Sequence, residues 1–141
     1  MTILHITSEF TKKNFSIASL IVYISNYLHS KFDINFSILA SHYEKKLFDN
    51  KNTETIKFDN LFNFFFKIRT LKNKISNYEI IHIHGIWAPI QVISIVICNF
   101  YRKNYVVHPH GMLLHEALKS TGTFKYFLKK LFLFFFKYLI S

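Results

Sequence analysis

Twice in this chain an apolar run ends in a His-x-His-Gly step and then gives way to a helix-forming stretch. The first reads Ile80-Ile81-His82-Ile83-His84-Gly85-Ile86-Trp87 and the second Tyr105-Val106-Val107-His108-Pro109-His110-Gly111-Met112-Leu113. The two steps lie 26 residues apart with an apolar helical segment between them, which is the spacing of one βαβ unit. In a parallel α/β sheet, ligands bind in the crevice outside the carboxyl ends of the strands. Each step therefore places an imidazole, followed by a residue that turns freely, where such a crevice opens.

The rest of the chain alternates in the same way. Strands are expected over residues 3–7, 33–40, 54–58, 78–84 and 105–108, and helices over 15–28, 60–76, 88–101 and 124–140. Thr7-Ser8-Glu9 is expected to break the first strand at its carboxyl end, and Asn14 or Ser16 to cap the first helix. In the helix over 60–76, Phe62, Phe65, Phe66 and Ile68 are expected to face inward. Pro89 suits the first turn of its helix, where the missing N–H does no harm. Residues 42–53, polar and rich in Lys and Asn, are expected as a surface loop. The pattern predicts an α/β, Rossmann-like, doubly wound parallel sheet with the first strand central, formed by residues 1–141 as one domain. The last helix is not followed by a strand, so the chain is expected to be truncated before the final strands of such a fold.

Composition narrows the function classes. Half the residues are hydrophobic, which argues against disorder, and the lone Cys98 fits a reducing compartment. No basic-then-apolar leader opens the chain, and no run is apolar for long enough to span a bilayer. The expected location is cytoplasmic, at most peripheral on the inner face of a membrane. The net charge of +10 is concentrated late: seven Lys/Arg against one acid, Glu116, lie from Arg102 onward. On a helical wheel, Lys125, Lys129, Lys130 and Lys137 share one arc of the 124–140 helix, beside a wide aromatic face. That arrangement predicts an anionic membrane surface as a partner. No zinc spacing, RNA-binding signature or helix-turn-helix appears, so nucleic acid is not expected.

Ser8, Glu9, His84, Gly85, His110 and Gly111 all fall at expected strand ends, and they converge on one crevice. Trp87 follows closely as a packing anchor or ligand platform. His82 and His108 are expected as packed core histidines, and His5, His29 and His115 as structural or surface residues. Neither a P-loop nor a Gly-x-Gly-x-x-Gly cradle is present. The two residues of each His-x-His pair are expected on opposite sides of the sheet, so no metal site is expected.

The segment from Ile80 to Trp87 resembles the "hiHGlW" segment of family-four glycosyltransferases, and that from Tyr105 to Leu113 is similar to their "yvvsPHGML" segment, at matching spacing. The resemblance extends from the opening strand across the chain, as the N-terminal half of a GT-B enzyme. It implies retaining, metal-independent transfer of a sugar from a nucleotide-sugar to a glycan or lipid-linked acceptor, with no cofactor beyond the donor itself. It also implies that this half supplies the acceptor side. His110 then matches the histidine that approaches the donor sugar, as the catalytic position. His84 with Gly85 matches a second cleft-lining position, and Ser8 and Glu9 lie in the family's first loop. That loop carries no glycine here, and the family's C-terminal nucleotide-sugar domain, with its basic residue and E-x7-E segment, is not in this sequence. The expected state is therefore inactive alone, with the missing half supplied elsewhere. The alternative is a non-catalytic acceptor-binding or membrane-docking module.

Overall fold

The computed structural model describes residues 1–12, 15–44, 53–57 and 64–114, and in the last stretch residues 126, 129–134 and 137. The elements run β1 (Thr2–Phe10), α1 (Phe15–Phe32), β2 (Asn35–Tyr43), β3 (Thr53–Thr55), α2 (Phe64–Ser76), β4 (Ile80–His84), α3 (Pro89–Phe100) and β5 (Asn104–His108). Five strands form one sheet in the order β3-β2-β1-β4-β5, and every pairing is parallel. This is a Rossmann-like α/β fold, as the alternation predicts.

The order has a consequence for function. The chain builds outward from β1 to β2 and β3, then returns across the sheet to start again at β4. The reversal lies between β1 and β4, and a crevice opens at such a point beyond the carboxyl ends of the strands. Leu4 and Ile6 sit at this centre, 2% and 0% exposed.

Period-two alternation divides the sheet's side chains between two layers. Leu4, Ile6, Ile81 and Ile83 join Leu71 and Ile75 of α2 and Ile90, Ile95 and Cys98 of α3 in the larger core. Ile38 and Ala40 of β2 meet Ala18 and Ile21 of α1 in a second cluster, which also takes in Phe10. Helices thus cover both faces, although Val106 of β5 remains 48% exposed.

Several boundaries differ from expectation, each for a local reason. Thr7-Ser8-Glu9 does not break β1. The ladder to β2 continues through Glu9–His42 and Phe10–Tyr43, and burial of the Phe10 ring draws the strand onward. Ser16 is the second residue of α1, inside the helix and not its cap, while Asn14 lies outside the described residues. The last turn of α1 closes at Asp33, whose φ of +53° lets its N–H donate to the His29 carbonyl at 3.0 Å. In α2 the inward face is Ile68, Leu71 and Ile75, an i, i+3, i+7 stripe. Phe65 and Phe66 lie off that stripe and are exposed, contrary to expectation, and Phe62 is outside the described residues. The expected helix over 124–140 is helical at 126, 129–134 and 137. Among the described residues, no helix is long and apolar enough to cross a membrane.

Candidate functional site: a histidine relay at the switch point

The carboxyl ends of β1 and β2 and the start of α3 enclose a cleft of about 270 Å³, lined by Ser8, Glu9, Ser41, His42, Lys57, Ala88 and Pro89. Ser8 and Glu9 fall where the sequence places them, at the mouth of the switch point. Ser41, His42 and Lys57 were not legible. Ser41 and His42 lie beyond the strand expected over 33–40 but within β2, which runs to Tyr43, while Lys57, expected inside a strand over 54–58, follows a β3 that ends at Thr55.

Next to this cleft, the two His-x-His-Gly steps meet. Ile83 is register partner to Val107 and His84 to His108, while Thr7 of β1 pairs His84 from the other side. The Gly85 N–H donates to the His108 carbonyl at 2.7 Å, tying the first turn to the neighbouring strand. Gly85 has φ +96°, and a side chain there would run into the Gln91 amide. Gln91 is almost fully buried in the first turn of α3, and it holds the β4–α3 connection from within. Its Oε1 accepts from the Ala88 N–H at 2.9 Å, and its amide donates to the His84 carbonyl at 2.5 Å. Gln91 carried a signal in the sequence, since Gln at the third position of a helix is the mark of half a capping box.

The second turn is built differently. His110 itself adopts φ +48° and Gly111 follows at +76°. Two successive left-handed residues reverse the chain and swing the His110 ring back over the sheet. Its Nε2 lies 2.9 Å from His84 Nδ1. His84 Nε2 lies 3.0 Å from His5 Nδ1, and His5 Nε2 is 3.2 Å from Ser25 Oγ of α1. Ser25, His5, His84 and His110 therefore form one continuous hydrogen-bonded row from α1 to the turn after β5.

A neutral imidazole carries one N–H and one lone pair, so such a row has two consistent states. Either every imidazole proton points toward His110, or every one points toward Ser25. Neutrality is enforced by burial. Desolvation, with His82 and His108 nearby, lowers His5 to about 3. Burial, followed by the charges of His82, His5, His110 and His108, lowers His84 to about 2. His82 falls to about 4, and His110 is also lowered, again chiefly by burial and then by His108.

The structure redistributes the expected roles. His84 does not stand free in the crevice; it is 6% exposed, and its two ring nitrogens meet His5 and His110. His108, expected in the core, is exposed, and His82 is half-buried. The expectation that each His-x-His pair is split across the sheet also fails, because residues two apart on a strand share a face. The His82 and His84 ring centroids are 4.4 Å apart. His5 is buried and belongs to the row. His115 lies outside the described residues. Trp87 packs toward the larger core, with its ring 5.3 Å from that of Phe132 and Lys129 Nζ 5.2 Å above it. The described contacts of Trp87 are those of a packing anchor.

No protein-family model and no curated protein sequence matches the chain. Among solved structures it is similar to a protein assigned as a UDP-N-acetylglucosamine 2-epimerase from Listeria monocytogenes. That similarity has a TM-score of 0.55 and 12% identity, over 79% of this chain and 31% of that one. A C-terminal domain of a hydrogenase from Pyrococcus furiosus matches with a TM-score of 0.40 and 16% identity, over 75% of this chain and 89% of that domain. The first likeness supports a Rossmann-like, GT-B-like fold, and this chain spans about a third of that protein's length.

Proposed function

We propose that these residues form the acceptor-side half of a GT-B sugar-transferring enzyme, a retaining glycosyltransferase of the family-four type. The observation that carries the reading is the placement of His110. It is the half-buried end of a row anchored in α1, and the cleft at the carboxyl ends of β1 and β2, lined by Ser8, Glu9 and Lys57 among others, can take a small polar ligand. A neutral imidazole there hydrogen-bonds a sugar hydroxyl without placing a charge near the reacting carbon. Ser8, Glu9 and Lys57 offer a hydroxyl, a carboxylate and an ammonium to a polyhydroxylated acceptor. The 2-epimerase likeness adds a carbohydrate context at the level of fold. The nucleotide-sugar wall of such an enzyme belongs to a second domain, so no cofactor is assigned to these residues.

The test is transfer from UDP- and GDP-sugars to a panel of glycan and lipid-linked acceptors. It is run with the chain alone and with the chain joined to a GT-B donor-binding domain. Transfer only in the joined form, and its loss in the joined His110→Ala variant, supports the reading. Transfer by residues 1–141 alone, or full activity of joined His110→Ala, overturns it.

A second reading, a membrane-docking module, draws on the helical residues 129–134. Leu131 and Phe134 are 44% and 58% exposed beside Lys129 and Lys130, while Phe132 and Leu133 pack toward the core. An exposed basic and aromatic surface suits the interface of an anionic bilayer. Flotation of the chain with phosphatidylglycerol vesicles but not phosphatidylcholine vesicles, abolished by Leu131→Ser with Phe134→Ser, favours this second reading. Flotation with neither overturns it.

A further inference from the structure

We infer that His5, His82 and His84 form a binding site for a divalent transition metal of zinc's class, one hydrogen bond behind His110. The first observation is proximity: one nitrogen from each ring falls in a group whose members all lie within 4.8 Å of one another. The second is an orphan. His82 Nε2 is buried and has no hydrogen-bond partner among the described residues. A buried polar nitrogen left unpaired in a cluster of rings calls for an explanation, and a bound ion is one of the few available. It is the third observation, the outer shell, that separates this group from a chance gathering of rings.

Metal-bound histidines almost always donate their other ring N–H to a fixed acceptor, which sets ring orientation. Two of the three rings already have that partner. If His5 binds through Nδ1, its Nε2–H donates to Ser25 Oγ. If His84 binds through Nε2, its Nδ1–H donates to His110 Nε2. The two inward nitrogens face each other 3.0 Å apart. Tetrahedral zinc with bonds of about 2.0–2.1 Å needs its ligand nitrogens about 3.3 Å apart, so binding opens this pair slightly, tilts the two rings toward a shared point and draws the His82 nitrogen in from within the 4.8 Å group. The protons balance without loss. In the metal-free state with every imidazole proton pointing toward His110, His5 carries its proton on Nδ1. Binding requires that proton to move to Nε2, while His84 keeps its own on Nδ1. No proton is released and no partner is stranded.

The ligand set selects the metal. Three neutral imidazoles with no carboxylate suit zinc, cobalt, nickel and copper, and they disfavour magnesium and calcium, which prefer oxygen. Three protein ligands leave a fourth tetrahedral position for water. His82 is only half-buried and the neighbouring His108 is exposed, so the ion has an approach from the β4–β5 side. The ligands come from β1 and β4, the two strands on either side of the topological reversal, which fixes their spacing more firmly than loops would.

The experiment uses the full 141-residue chain, without an affinity tag of histidines and stripped by chelator. Zinc is titrated by calorimetry, and cobalt binding is followed by its visible spectrum. One equivalent of zinc, a tetrahedral cobalt spectrum displaced by zinc, and a zinc-dependent rise in Tm are expected. His82→Ala should weaken zinc binding well beyond tenfold, and Ser25→Ala, which removes only the outer hydrogen bond on His5, by about tenfold. His29→Ala, outside the cluster, should change nothing. His82 is half-buried, so its removal leaves a folded chain, and matched circular dichroism verifies this. Zinc binding of equal affinity in wild type and His82→Ala, or no saturable binding in wild type, overturns the inference. Magnesium binding at the same site overturns the assigned metal class.

Discussion

His84 Nδ1 and His110 Nε2 lie 2.9 Å apart across 26 residues of chain, and this contact joins the two βα turns into one site. His84 is fixed by its place in β4 and by Gln91 on its carbonyl, so the pair takes its position from the sheet. His110 gains its direction from a φ of +48°, a conformation that non-glycine residues rarely hold without support. The joined enzyme proposed above should therefore be sensitive to His110. Replacing it by Ala removes one preorganised donor or acceptor, a loss of about 2–4 kcal/mol of transition-state stabilisation by comparison with other such groups. The measured kcat should fall roughly 30- to 1,000-fold. A kcat within threefold of wild type would return His110 to a structural role.

Acid should unfold the metal-free chain early. His5 and His84 are held neutral in the fold, at about 3 and about 2, against an unfolded value near 6.5. Their folded values are depressed, so the unfolded state binds the extra protons. Stability is therefore full above about pH 6.5 and falls as pH drops below it. The two protons taken up by His5 and His84 alone give a slope of about 3 kcal/mol per pH unit between roughly pH 6 and 4, and the depressed His82 and His110 add in the same direction. Urea unfolding in chelator at pH 7, 6 and 5 reads this directly. An unfolding free energy unchanged between pH 7 and 5 would contradict burial of the row in neutral form.

The sheet was legible because its signal is local. An apolar run followed by a polar turn identifies β1, β4 and β5, and Leu4, Ile6, Ile81 and Ile83 show the burial that their patterning predicts. Patterning also marked the neighbourhood of the strand ends: Ser8 and Glu9 line the cleft although β1 runs on to Phe10, and Gly85 and Gly111 fall in the turns after β4 and β5. What could not be read was register. Whether His84 meets His5 depends on β1 lying beside β4 with Thr7 opposite His84, a fact set by the crossover and not by either segment. The face each helix presents was equally hidden in so phenylalanine-rich a stretch. Period 3.6 places Ile68, Leu71 and Ile75 inward as readily as it places Phe65 and Phe66, and the packing of α3 decides between them.

Cys98 should be chemically silent in the folded chain. It is fully buried between α3 and the sheet, and burial pushes its thiol up to about 12, outweighing the opposite pull of Lys103. The thiolate is the reactive form, and at pH 8 almost none is present. Ellman's reagent should react stoichiometrically in denaturant and, without it, only at the rate of opening. Rapid labelling of the native chain at pH 8 would show that α3 does not seal the larger core.

The two turn glycines should respond unequally to the same substitution, because only one has a wall behind it. Both lie at positive φ, +96° at Gly85 and +76° at Gly111, so alanine strains the backbone at either by about 1–2 kcal/mol. At Gly111 the added methyl meets only Leu114 Cδ1 at 3.5 Å, an ordinary contact. At Gly85 it runs into the Gln91 side chain, which cannot yield without abandoning the Ala88 N–H and the His84 carbonyl. Each of those buried groups left unpaired costs about 1–3 kcal/mol. Gly85→Ala should therefore lose about 3 kcal/mol or more, against about 1–2 for Gly111→Ala, by urea unfolding at pH 7. Gln91→Leu, which keeps the volume but removes the same two hydrogen bonds, should lose a comparable amount without the backbone strain. In the double variant Gly85→Ala with Gln91→Ala, the methyl no longer collides, and the combined loss should fall short of the sum of the two single losses. Strict additivity would mean that Gly85 is required for its backbone conformation alone and that Gln91 does not shape the turn.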